Sequence, residues 1–207
     1  MIRSAALALL LLASGARGQD LPDAFPGLPD FSQPVDLIAA PEAGVLWIAE
    51  QSGRIWAIDE DPGVTTRTLV ADLTTLVGPI SGDGGLQSLA LRPDGDALFV
   101  HLVTFQGGPL ASVVLRFRVR NNGTVNPNDP QEVLRLDQPD SVHNGGKILW
   151  GPDGMLYVPM GDGGLTPSDL RENAQDRTNL FGSILRIAPF QSHLPGYQIP
   201  PDNPYVG

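Results

Sequence analysis

Cysteine is missing from this chain, so neither a disulfide framework nor thiolate chemistry is open to it. Charged residues are scarce, at 17% against the usual figure of about a quarter, which argues against long solvated helices. The sequence has no basic run and no stripe of aromatics and arginine, and its formal net charge is −10. Such a surface repels a phosphate backbone, which excludes nucleic acid as a partner. Long apolar segments are missing too, apart from Ala5 to Ala13, which is too short to cross a bilayer as a stable helix.

That one run has Arg3 before it and Ala16-Arg17-Gly18 after it, the pattern of a secretory signal peptide over residues 1–18. Its removal takes two of the 13 basic residues and leaves 11 against 23 acids, a formal charge of −12. The mature chain, residues 19–207, is therefore expected to be secreted or periplasmic, with no membrane span. Several chemistries lack their signatures. There is no phosphate loop, zinc-binding His-Glu-x-x-His helix, nucleophile elbow or dinucleotide fingerprint. Asp59-Glu60-Asp61-Pro62-Gly63 lacks the alternate ligands and distal Glu of a calcium loop and reads as a solvated turn. Asn122-Gly123-Thr124 is a formal glycosylation sequon, but an ordinary Asn-Gly turn explains it.

Turn residues are abundant, with 24 Gly and 20 Pro, and the 42% hydrophobic content is enough for one modest core. Three segments repeat one another: Pro41-Glu42-Ala43-Gly44-Val45-Leu46-Trp47-Ile48, Pro93-Asp94-Gly95-Asp96-Ala97-Leu98-Phe99-Val100 and Pro152-Asp153-Gly154-Met155-Leu156-Tyr157-Val158. Their prolines are spaced by 52 and 59 residues. Short apolar strands precede each proline (35–40, 86–92, 147–151). A period-two strand follows each Leu-aromatic strand (54–59, 112–119, 183–188). Fourth strands are expected at 67–71 and 132–136, and in the third unit the fourth is either lost or held in the tail 189–207. Four antiparallel strands per period of about fifty residues make one β-propeller blade, so the fold class is all-β, a propeller of four-stranded blades. No helix is expected beyond a possible short turn near Asp169 to Ala174. Three blades leave two open sheet edges, which suits a fragment of a longer propeller or a chain that pairs with another.

Strand direction sorts the polar residues. The loop into a first strand and the loop out of a second strand share one rim, because neighbouring strands are antiparallel. His143, Asp83 within Gly82-Asp83-Gly84-Gly85, and Asp162 within Gly161-Asp162-Gly163-Gly164 fall together on that rim, and Glu50 and Gln51 leave the first unit there. Glycine-flanked aspartates commonly make turns and nothing more. A histidine and an aspartate on one rim carry more weight, since a carboxylate fixes an imidazole tautomer as general-base catalysis requires. His101, mid-strand, and His193, in the proline-rich tail, read as structural or incidental.

His143-Asn144-Gly145-Gly146, Gly151-Pro152-Asp153-Gly154, Gly161-Asp162-Gly163-Gly164, Gly182-Ser183-Ile184-Leu185-Arg186-Ile187 and Asp202-Asn203-Pro204-Tyr205 resemble the glucose/sorbosone dehydrogenase family. That family includes soluble aldose sugar dehydrogenases that depend on pyrroloquinoline quinone. The resemblance covers nearly all of the mature chain and implies three blades of a six-bladed ring. It also implies a mechanism: sugar C1 delivers hydride to a quinone carbonyl polarised by calcium, while a histidine removes the hydroxyl proton. His143 matches that catalytic histidine and Asp162 the acid that accompanies it. Asp83 matches a position, usually Gln or Glu, that contacts substrate, and Asp83, Asn144 and Gly163 are assigned to the cofactor-binding rim. No metal ligand is assigned, because the resemblance places the arginines that clamp the quinone, and most calcium ligands, beyond Gly207. The implied partners are a small sugar and an external electron acceptor, and the chain by itself is expected to be inactive. The alternatives are a non-catalytic secreted propeller that binds protein or glycan, and a lactonase-like propeller without a histidine base.

Overall fold

The computed structural model describes residues 23–164, 173–189 and 196–205. The expected signal peptide and His193 lie outside these residues. Among the described residues, twelve strands form three antiparallel four-stranded sheets, each in the order of the chain. The first sheet contains β1 (Pro34–Ala39), β2 (Val45–Glu50), β3 (Arg54–Asp59) and β4 (Thr68–Asp72). The second contains β5 (Gly85–Leu91), β6 (Ala97–Thr104), β7 (Ala111–Arg118) and β8 (Gln131–Asp137). The third contains β9 (Leu149–Trp150), β10 (Leu156–Pro159), β11 (Ile184–Pro189) and β12 (Tyr197–Gln198). The expected four-strand unit therefore occurs three times, and the tail supplies the fourth strand of the third unit as β12.

First strands pack on first strands, β5 lying against both β1 and β9, so the second sheet sits between the other two. This is how consecutive propeller blades stack, and it explains why every residue of β6 is buried. Strand alternation gives the middle blade two apolar faces. Leu98, Val100 and Leu102 face the first blade, in a core with Trp47, Ile55 and Leu86. Ala97 and Phe99 face the third, in a core with Ile148, Leu156 and Ile187. The Phe99 ring meets Trp150 edge-on at 5.1 Å between centroids, a favourable aromatic arrangement.

One helix was not expected from the sequence: α1, the single turn Thr74–Val77. Four residues are too few for an apolar period to register in the sequence. Tertiary contacts stabilise the turn instead, with Thr104 donating its hydroxyl to the Leu76 and Val77 carbonyls at 3.0 and 2.8 Å. A 3₁₀ turn, Asn173–Gln175, overlaps the end of the short turn expected near Asp169 to Ala174, and residues 165–172 lie outside the described ones. At the expected sequon, Thr124 donates to Asn122 Oδ1 from both its backbone N–H and its hydroxyl, at 3.2 and 2.7 Å, closing a tight turn. Among the described residues no helix is long and apolar enough to cross a membrane.

Blade three ends opposite the His143 rim in a polar brace. Arg186 of β11 donates to Asp153 Oδ2 at 2.8 Å, Asp202 Oδ1 at 2.9 Å and Asn203 Oδ1 at 2.8 Å. Tyr157 adds a hydroxyl hydrogen bond to Asp153 at 2.9 Å. The guanidinium holds the Asp153 carboxyl down at about 2, against an ordinary 3.8, and lowers Asp202 as well. The two carboxylates in turn raise Arg186, Asp202 more than Asp153. Carboxylates depressed in the folded state contribute stability that is complete above the unfolded value and lost as pH falls through the folded one. Folding stability should therefore fall from pH 3.8 toward about 2. Acid titration followed by circular dichroism should show this fall, with a clearly shallower slope in Arg186→Met. An identical slope would mean the brace contributes nothing to acid stability.

Candidate functional site

Three loops meet at the rim: the one into β5, the one into β9 and the one out of β10. The His143 ring stands there with about half its side-chain surface exposed, and its Nδ1 lies 3.1 Å from Asp162 Oδ1. A carboxylate only accepts, so Nδ1 carries the proton, and in the neutral ring Nε2 is the lone-pair nitrogen. Nε2 makes no hydrogen bond among the described residues. Asp162 Oδ1 also accepts the Gly164 N–H at 2.9 Å, which fixes the carboxylate in its turn. This places the two expected catalytic residues together.

The backbone at His143 is unusual. Its φ is +57°, and among the described non-glycine residues only Gln33 shares a positive value. Such a conformation stores strain and persists where the surroundings over-determine it. Here the His143 N–H donates to Asp83 Oδ2 at 2.7 Å, and its carbonyl accepts the Gly163 N–H at 3.1 Å. Asp83 is thus on the rim as expected, with one oxygen spent on the histidine backbone. Gly163, expected on the cofactor rim, is buried instead. Asn144 is under the rim rather than on it: it is 1% exposed and donates from Nδ2 to the Asp140 carbonyl at 2.8 Å.

Glu50 does not present its carboxylate at the rim. It is 2% exposed, accepts the Ser32 N–H at 2.9 Å and pairs with Arg67 at 3.6 Å. Gln51 serves the rim from behind, donating to the Gly84 carbonyl at 2.9 Å and so supporting the Asp83 loop.

Sequence reasoning missed one anchor outright and the partner of a second. Lys147 Nζ sits 2.8 and 2.7 Å from the oxygens of Asp36 and 3.2 Å from the Leu89 carbonyl. Asp36 also accepts the Leu89 N–H at 2.7 Å, so this pair ties β1 and β5 to the segment leading into β9. Two oppositely charged residues 111 positions apart leave no mark in a linear pattern. His101, read as structural or incidental, is buried and bonded to Gly146, in the His143 loop. Its one available signal was a polar residue within the apolar run from Ala97 to Val103.

Stacked four-stranded sheets with a loop-built rim define this chain as part of a β-propeller. Residues 31–207 match the glucose/sorbosone dehydrogenase family model, and the chain belongs to that family. It is similar to the PQQ-bound aldose sugar dehydrogenase of Streptomyces coelicolor, with a TM-score of 0.61 and 27% identity, covering 83% of this chain and 52% of that one. It is 31% identical over 176 residues to the Hedgehog-interacting protein of Mus musculus, covering 77% of this chain and 25% of that protein. It is 24% identical over 200 residues to quinoprotein glucose dehydrogenase B of Acinetobacter calcoaceticus, covering 86% of this chain and 40% of that protein. The chain thus spans about half the solved structure and less than half of these two curated relatives.

The cofactor that the solved relative holds is pyrroloquinoline quinone, an anion. The side chains bonded to the His143 segment are carboxylates, Asp83 and Asp162, and the cation of that segment, Lys147, is engaged by Asp36. Among the described residues no group of three or more His, Asp or Glu side chains could hold a metal ion. This donor set suits proton acceptance and hydroxyl binding, and does not by itself fit a tricarboxylate anion or calcium.

Proposed function

We propose that the whole protein, to which this chain contributes the His143 rim, is an extracytoplasmic oxidoreductase that oxidises an aldose at C1. Pyrroloquinoline quinone, with calcium, would supply the hydride acceptor, and an external acceptor would take the electrons onward. The observation that carries this reading is the His143–Asp162 contact of 3.1 Å with Nε2 left open. Asp162 takes the Nδ1–H and stabilises the imidazolium that forms when Nε2 accepts the proton of the sugar C1 hydroxyl. Asp83 holds the histidine backbone through one oxygen and offers the other to a sugar hydroxyl. Asn144 and Gly163, both buried, support the His143 segment from below. The apolar leader over residues 1–18 supports a secreted or periplasmic location.

A second reading, a non-catalytic propeller that binds another protein or a glycan, draws on the 31% identity to the Hedgehog-interacting protein. One experiment separates the two. The whole protein, supplied with pyrroloquinoline quinone and calcium, should reduce an artificial dye with aldoses, in a manner dependent on both quinone and sugar. Tight quinone binding without turnover on any aldose, or no quinone binding at all, overturns the oxidoreductase reading.

A further inference from the structure

Polar side chains from the middle blade lie buried under the His143 loop. His101 on β6 is 0% exposed, and its Nδ1 is 2.8 Å from the Gly146 carbonyl oxygen. The carbonyl can only accept, so this ring is the Nδ1–H tautomer, and its Nε2 is buried without a partner. Burial pushes the His101 pKa down, more than the Gly146 contact raises it, which keeps the ring neutral. Ser112 on β7, also 0% exposed, donates its hydroxyl to the Asn144 carbonyl at 3.0 Å and accepts from Gln138 Nε2 at 2.7 Å.

Strand parity makes these two residues conspicuous. His101 continues the face of Ala97 and Phe99, and Ser112 the face of Val114, where the middle blade packs against the third with an otherwise apolar core. A polar group buried there is unfavourable unless it is hydrogen-bonded, and both residues find their acceptors in the 144–146 carbonyls. That segment needs external support, because Gly145 and Gly146 carry no side chains to hold it. Gly145 has φ +123°, and a Cβ on it would lie 2.6 Å from the Pro159 carbonyl oxygen and 3.3 Å from the His101 ring. The Gly145 position thus leaves little room between the loop and the His101 ring.

We infer that His101 and Ser112 are positioning residues for His143, anchoring the carbonyls of Gly146 and Asn144 so that the His143 imidazole stays on Asp162. The kinetic part of this inference rests on the proposed reaction, and the spectroscopic part on geometry alone. Releasing the anchors frees two glycines beside a strained histidine, and a displacement of about 1 Å at a base costs on the order of 10²-fold in rate.

The test uses the whole protein with His101→Leu, which removes the donor, and His101→Asn, whose amide N–H can take the place of Nδ1–H. With quinone and calcium bound, His101→Leu should lower kcat by about 10- to 10²-fold with the sugar KM changed less than about twofold. His101→Asn should recover to within about fivefold of the parent, as a restored hydrogen bond requires. Without quinone or sugar, ¹⁵N spectra of the imidazole should show His143 as the Nδ1–H tautomer in the parent and His101→Asn, and a mixture in His101→Leu. Should His101→Leu fail to fold, Ser112→Ala removes a single oxygen and should shift the same His143 signals. Parental His143 spectra in a folded His101→Leu or in Ser112→Ala overturn the inference, as does an Asn variant as impaired as the Leu variant. Absence of dehydrogenase activity in the parent protein overturns the proposed reaction instead, and the spectra then decide the positioning role by themselves.

Discussion

In the whole protein, His143→Ala should lower kcat for aldose oxidation by at least about 10²-fold, the lower end for loss of a positioned general base. The substitution leaves the scaffold in place. The bonds that fix residue 143, its N–H to Asp83 and its carbonyl from Gly163, are made by the backbone. Stability should change by no more than about 0.5–1 kcal/mol, as for a half-exposed side chain away from the core. Asp162→Asn should cost less, about tenfold, as a partial loss of general-base efficiency. The asparagine can still accept the Gly164 N–H, but it no longer carries the charge that stabilises an imidazolium. Steady-state kinetics on quinone-loaded protein check both values. Parental turnover in His143→Ala would remove this imidazole from the mechanism.

The largest loss of folding stability is expected from Gly161→Ala. Gly161 is not at positive φ, so the backbone would tolerate alanine, and the obstacle is space. A Cβ there would stand 1.9 Å from the His143 carbonyl oxygen and 2.6 Å from its carbon. Backbone atoms cannot swing aside as a side-chain tip does, so the His143 loop must move. The same movement stretches the bond from Gly163 N–H to the His143 carbonyl, now 3.1 Å. Overpacking and weakened hydrogen bonds together should cost about 2–4 kcal/mol. Gly154→Ala is the matched control. Its φ is +75° with nothing within 4 Å of a Cβ, so it carries only the left-handed penalty of about 1–2 kcal/mol. Denaturant midpoints should rank Gly161→Ala well below Gly154→Ala, with activity lost only in the former. An equal ranking would show that the rim is not packed as described.

The sequence by itself determined the repeat. Each Pro-acid-Gly turn between apolar strands is specified by neighbouring residues, and β3 at Arg54–Asp59 was bounded from alternation alone. The shared rim also followed from the sequence, because antiparallel order decides which loops meet, and His143, Asp83 and Asp162 did meet. Only the tertiary structure decided what holds them. The Lys147–Asp36 staple, the His101 anchor and the role of Asp83 toward the His143 backbone each join residues from different blades, and the Arg186 brace joins residues of one blade that are 33 positions apart. A linear pattern carries turn chemistry and strand parity, which act over a few residues. Which polar side chains touch across blades depends on how the blades pack and how the side chains turn, and those are settled only when the chain is folded.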